Sequence, residues 1–265
     1  MELTEIVQSY LEKKAKYRFF DLNSWVHVQE EQFYPVRTVE EVERELIGHR
    51  IADALITNAK CLRYNPGVGN EELLGLIRNL PSYYGAIVWS PELGRSKAET
   101  ADYLDRMIAN RIAIVRLFPK KLNYSLNKWQ VGDLLSAMES RGLPLLLWHV
   151  ETNWDTIHNL CEQFPRLPVI VEGNDQKLLY HNRSFVPLLE RHTNLYIETH
   201  SLIQHESLEY IVNERGVNRL LFGTYFPNND PNSSMMMVTD ANIPEEAKLA
   251  IAGDHLRRLI ANIRN

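Results

Sequence analysis

Several apolar runs in this chain end on side chains that can hold an anion or move a proton. Leu143-Pro-Leu-Leu-Leu-Trp-His149 ends on an imidazole, Leu167-Pro-Val-Ile-Val-Glu172 on a carboxylate, and Ile112-Ala-Ile-Val-Arg-Leu-Phe118 carries the guanidinium of Arg116. A carboxylate at the end of an apolar strand must find a partner or shift its pKa. His149 and Arg116 are the partners expected for Glu172. A Glu172–His149 pair makes a workable general acid/base, and an equally workable inert ion pair. His149 alone can also be a barrel histidine that only hydrogen-bonds a neighbour. Other runs end on Asp21 and Asn23, on Thr57 and Asn58, on Glu198-Thr-His200, and on Thr224-Tyr225 with Asp230 further along. Tyr225 suits a pocket wall or a phenol donor to a substrate oxygen. His27, His49, His158, His181, His192, His205 and His255 share no ligand spacing and read as surface or packing residues.

Those ends need elements to hold them. The period of the apolar residues alternates between short runs and longer amphipathic stretches. Eight runs read as strands: Tyr17 to Asn23, Ala52 to Thr57, Tyr84 to Trp89, Ile112 to Phe118, Leu143 to His149, Leu167 to Glu172, Asn194 to Thr199 and Arg219 to Gly223. Helical stripes follow them. Thr38-Val-Glu-Glu41 has capping-box spacing, and Val39, Val42 and Leu46 then share a face. Asn70 reads as an N-cap before Leu73, Leu74 and Ile77, and Gly142 and Gly216 read as C-caps. A further helix starts near Asn153, and a last one starts at Asn242-Ile-Pro-Glu245. Pro187 interrupts the stretch from Gln176 to Leu189, and Met235-Met-Met237 falls between a loop and the last helix. An extra helix of about residues 2 to 15 precedes the first strand. Eight strand–helix units fit one (β/α)8 TIM-barrel domain, α/β in class, over residues 1–265. An open doubly wound sheet is the alternative, but neither G-x-G-x-x-G nor a P-loop is present. In such barrels chemistry sits at the C-terminal ends of the strands, where the residues above fall.

Composition narrows the function. The chain has 45% hydrophobic and 24% charged residues and a net charge of −5, with Lys and Arg spread along it. That gives no nucleic-acid footprint. No apolar run approaches the roughly 20 residues of a membrane span. Cys61 and Cys161 cannot build a disulfide framework or a Cys-rich zinc site. The acidic, amphipathic start is unlike a signal or transit peptide, so a cytoplasmic protein is expected.

The order of the strand-end motifs resembles the amidohydrolase-related family of metal-dependent TIM-barrel hydrolases and decarboxylases. The residues that carry the resemblance are Phe20-Asp-Leu-Asn-Ser-Trp25, Tyr64-Asn-Pro-Gly-Val-Gly-Asn70, Leu146-Leu-Trp-His149, Val171-Glu-Gly173, Phe222-Gly-Thr-Tyr-Phe-Pro227 and Gly253-Asp-His-Leu-Arg-Arg-Leu259. The resemblance runs from Phe19 to Leu259. It implies a divalent metal such as zinc, held by two strand-one histidines, one histidine each from strands five and six, and a strand-eight aspartate. At those positions stand Asn23, Trp25, His149, Glu172 and Tyr225, so only His149 is retained. Asn is a poor zinc ligand, Trp has no lone pair to give, and Tyr must first ionise. Catalytic zinc needs three protein ligands. His200 or Asp230 swinging in would be the way to rebuild a set; otherwise no cofactor is expected, and Trp25 fills the space of the ion. The resemblance also implies a homodimer.

Two functions follow. One is a hydrolase or decarboxylase of a small polar or carboxylated substrate, with His149, Glu172 and Arg116 catalytic and Asn23, Trp25, Tyr225 and His200 binding. Without a metal, general acid/base work supplies only about 10²- to 10⁴-fold, which favours an activated bond such as a lactone or β-keto acid. The other is a non-catalytic barrel that binds a small ligand or a partner and keeps only the fold.

Overall fold

The architecture comes from a computed structural model that describes residues 3–28, 34–36, 38–173, 181–216 and 219–264. Asn174 and the stretch from Gln176 to residue 180 lie outside the described residues. A helix α1 (Leu3–Lys14) precedes eight parallel strands: β1 (Phe19–Val26), β2 (Ile51–Asn58), β3 (Tyr83–Trp89), β4 (Ile112–Leu117), β5 (Leu145–Trp148), β6 (Val169–Glu172), β7 (Leu195–Glu198) and β8 (Leu220–Leu221). Each pairs with the next in sequence, in the order β1 to β8. Backbone bonds from Leu22 N–H to Phe222 O (3.0 Å) and from Trp25 N–H to Phe226 O (2.7 Å) bring the β8 side back to β1. The chain is a (β/α)8 TIM barrel, as the alternation of periods predicts.

Parallel strands are covered on both faces, so their residues split between two apolar layers. Outward residues such as Val115, Leu117, Leu145, Leu147, Val169 and Val171 pack under the helices. Inward residues Phe20, Leu22, Leu55, Ala86, Ile114, Leu146, Ile170 and Leu221 fill the barrel. The two-residue period then sets what lies one layer higher. Leu55 is followed by Thr57, Ile114 by Arg116, Leu146 by Trp148 and Ile170 by Glu172, and all are buried. The floor of the barrel is therefore hydrocarbon and the next layer is polar. In β1 the register slips between Asp21 and Ser24, which pair with Ala54 and Ile56. That bulge adds a residue and re-aims the side chains near Asn23.

The helices are α2 (Val39–Gly48), α3 (Lys60–Arg63), α4 (Pro66–Ile77), α5 (Lys97–Ala109), α6 (Lys128–Arg141), α7 (Trp154–Gln163), α8 (Asn182–Arg191), α9 (Ser207–Glu209), α10 (Pro231–Thr239), α11 (Glu245–Leu249) and α12 (His255–Ala261). Thr38 and Glu41 form the expected capping box, Asn153 caps α7, and Gly142 ends α6 at a left-handed φ of 64°. Three expectations are corrected. Asn70 is not a cap: α4 starts earlier, capped by Asn65. The Asn70 amide instead bonds both backbone groups of Val88, at 2.7 and 3.0 Å, pinning α4 to β3. Met235, Met236 and Met237 lie inside a helix, α10, whose N-cap is Asp230. Pro187 sits within α8 and does not end it.

Two histidines couple this packing to pH. Burial lowers the pKa of His255, whose Nδ1 lies 3.0 Å from Leu220 O. Burial and then the charge of His158 lower that of His192, whose Nε2 lies 2.7 Å from His158 Nδ1. Their folded pKa values fall below the ordinary value of 6.5, so the unfolded chain binds more protons in acid. Their share of stability is full above that value and drains away as pH falls through it. Thermal denaturation between pH 7.5 and 5.5 should show a falling Tm, and the His192→Asn, His255→Asn double variant should show a flatter profile.

Candidate functional site

The polar layer centres on Arg116. Its guanidinium is fully buried and forms an ion pair with Glu172, also fully buried. Nη1 donates to Thr57 Oγ1 at 2.8 Å, and both terminal nitrogens lie 3.3 Å from Asn23 Oδ1. The guanidinium carbon stands 4.3 Å from the Trp25 ring centroid, a cation–π distance. Asn23 explains its own presence. Its Oδ1 accepts from Arg116 and from Trp25 Nε1 (2.8 Å), while its Nδ2 donates to Glu172 Oε2 at 2.6 Å. A neutral amide can accept and donate at once, so it satisfies a cation on one side and an anion on the other. Burial pushes the Glu172 carboxyl above the usual carboxylate range, and Arg116 pulls against that shift.

Two further carboxylates are buried beside this network. Asp21 accepts from Asn23 N–H (2.9 Å), Ser24 Oγ, Thr224 N–H (2.9 Å) and Thr224 Oγ1 (2.6 Å), tying β1 to the chain after β8. Burial raises its pKa and those donors oppose the rise. Glu198 accepts from the backbone N–H of His200 at 2.8 Å and pairs with His200 Nδ1. The Glu198 carboxylate lies where a side chain at Gly223 would stand, since a Cβ there would meet Glu198 Oε1 at 2.1 Å. The His200 ring stacks on Tyr225, with centroids 5.5 Å apart. Tyr225 holds a left-handed φ of 57°, uncommon for a bulky residue.

The sequence-predicted site residues therefore fall into separate groups. Arg116, Glu172, Asn23 and Trp25 come together. His200 and Tyr225 come together with Glu198. His149 does not reach the Glu172 carboxylate; the carboxylate oxygens go to Arg116 and Asn23, and His149 Nδ1 lies 3.4 Å from the Glu172 backbone oxygen. The reason is register. Trp148 takes the inward position, and His149 begins a short 3-10 turn after β5, with its ring against Trp154 and His181. Asp230 is occupied capping α10 through Asn232 N–H at 2.9 Å.

These residues do not fit a divalent ion. The oxygen of Asn23 and both oxygens of Glu172 are committed to other partners, Trp25 offers an N–H, and Tyr225 is turned onto His200. Among the described residues no three His, Cys, Asp or Glu side chains converge to hold a metal.

Above the polar layer lies a cavity of about 130 Å³ at the barrel mouth. Trp25, Trp148 and Tyr225 give it flat aromatic walls, Val28, Ala59 and Leu62 apolar ones, and Arg63 and Lys121 its charge. Lys121 Nζ stands 4.3 Å from the Trp148 ring centroid. The buried N–H groups of Trp148 Nε1 and Arg116 Nε find no acceptor among the described residues. Trp148, Lys121 and Arg63 escape a search for polar residues at strand ends. An aromatic residue at the last inward position of β5 is the signal that finds Trp148.

No family profile and no curated protein matches the chain. Solved structures do. A 2,6-dihydroxybenzoate decarboxylase from Rhizobium superposes with a TM-score of 0.69 at 14% identity, covering 92% of this chain and 99% of its own. A dihydroxybenzoic acid decarboxylase from a Polaromonas species, with bound manganese and 2-nitroresorcinol, gives 0.72 at 14% identity, covering 94% and 98%. An amidohydrolase gives 0.67 at 11% identity, covering 92% and 99%. The chain thus shares its TIM-barrel fold with these decarboxylases and this amidohydrolase.

Removing one partner of a buried pair leaves the other charge uncompensated. Glu172→Gln should cost about 3–5 kcal/mol in urea unfolding. The exposed Arg106–Glu71 pair supplies the control, because Glu71→Gln should cost no more than about 1 kcal/mol.

Proposed function

We propose that this chain is a barrel that binds a small, flat carboxylate at its mouth without a divalent metal. The observation that carries the reading is a small aromatic cavity whose two charged lining side chains are both cationic. Its walls are Trp25, Trp148 and Tyr225, and its polar groups are Lys121, Arg63, Asn228 and the Tyr225 phenol. Cationic side chains beside flat aromatic faces favour a flat anion that supplies oxygens. A cavity of about 130 Å³ suits a molecule the size of a single substituted ring. The fold neighbours support the same class, since two of them act on dihydroxybenzoic acids.

Binding is favoured over turnover because the groups expected to move protons are locked. Glu172 is ion-paired with the buried Arg116 guanidinium, and His149 is turned away from the carboxylate. A second reading rests on Glu198 and His200. A carboxylate that orients an imidazole against the pocket wall Tyr225 is an acid/base arrangement. In decarboxylation the bond to the carboxylate breaks, carbon dioxide leaves, and a proton held by His200 would have to pass Tyr225 to reach the carbon left behind.

Calorimetry with benzoate and 2,6-dihydroxybenzoate should show saturable binding that survives EDTA, while phenol binds more weakly. Lys121→Met, which removes one of the two cationic groups of the lining, should weaken binding about tenfold. Equal affinity for phenol and benzoate would defeat the carboxylate reading. Release of carbon dioxide that His200→Asn abolishes in a folded protein would replace binding with the second reading.

A further inference from the structure

We propose that the Arg116 guanidinium is this barrel's resident cation, seated among residues that stand where the resemblance implies metal ligands, and that it closes the site to divalent metals. The need for a cation comes first. Asp21 lies within β1, Glu172 and Glu198 end β6 and β7, and all three are fully buried. Buried carboxylates require paired charge or donated hydrogen bonds. Asp21 is served by hydroxyl and backbone donors, and Glu198 by His200. Glu172 is served by Arg116.

The position of the guanidinium comes second. It reaches from β4 across the barrel to β1, β2 and β6, touching Asn23, Trp25, Thr57 and Glu172. Three of these, Asn23, Trp25 and Glu172, stand where the resemblance implies metal ligands. Trp25 has no lone pair for a metal ion, and the oxygens of Asn23 and Glu172, which could bind one, already accept N–H groups. The amide oxygen of Asn23 receives both terminal nitrogens, the Trp25 ring offers its π face, and the carboxylate takes an N–H. A metal entering this space would have to displace a covalently attached charge and then find ligands already hydrogen-bonded elsewhere. The Polaromonas barrel of the same fold carries manganese; here a side chain supplies the positive charge, and no chelator can strip it.

The test needs no ligand for the mouth cavity, so its outcome is independent of the carboxylate reading. Wild-type protein dialysed against manganese or zinc chloride and then against buffer should retain well under one equivalent by elemental analysis, with no change in Tm. Arg116→Ala should lose roughly 10 °C in Tm. Millimolar guanidinium should raise the Tm of that variant, while equal sodium or urea does not, and should leave the wild type unchanged. The Arg116→Met, Glu172→Met double variant, which removes both charges, should be more stable than Arg116→Ala. It carries the test should the single variant be recovered only as aggregate. One equivalent of metal retained by the wild type together with a raised Tm would overturn the proposal. So would a double variant no more stable than the single one, or a soluble Arg116→Ala protein that guanidinium does not selectively stabilise.

Discussion

The ion pair between Arg116 and Glu172 is the constraint around which the upper barrel is arranged. Neither group touches solvent, and desolvating two charges is costly unless their remaining hydrogen-bonding capacity is used. That requirement reaches outward. It calls for an acceptor on β2, which is Thr57, and for a group on β1 that serves both charges, which is Asn23. It also calls for a flat face to cover the guanidinium, which is Trp25. The residues that depart from the resemblance at these positions are thus a mutually dependent set. Changing one leaves a buried polar group of another without its partner.

A second polar unit is built by the same logic beside the first. Glu198 needs space and a donor. Gly223 supplies the space by having no Cβ, and His200 supplies both its backbone N–H and its ring. Asp21 turns the requirement into closure of the barrel, because two of its donors belong to Thr224 after β8. The mouth cavity rests on these units. Trp25 lies between the guanidinium and the cavity, and Tyr225 lies between His200 and the cavity. The aromatic walls of the mouth cavity are thereby seated on a layer of buried, hydrogen-bonded side chains.

Much of the fold was legible in the residues. All eight strands lie within the expected runs or within a few residues of them, since a change of apolar period is a local property. The capping box at Thr38 and the left-handed Gly142 are local as well. Asn70 misleads for an instructive reason. Its type suits a cap, but its amide satisfies the Val88 backbone 18 positions away, and nothing in a short window reveals that. The paired role of Arg116 and Glu172 was half visible. A carboxylate ending an apolar strand demands a partner, and the choice between Arg116 and His149 was left open because both follow apolar runs.

What the sequence determined by itself is the class of fold and the layer of polar residues at the strand ends. These follow from periodicity and residue chemistry, which need no distances. Tertiary structure decided which partners those residues take. A bulge in β1 sets the aim of Asn23, and the register of β5 puts Trp148 inward and sends His149 into a turn. A one-residue slip reverses the side a strand residue faces. Whether Glu172 meets an imidazole or a guanidinium is therefore settled only when strands far apart in sequence are brought together around one axis.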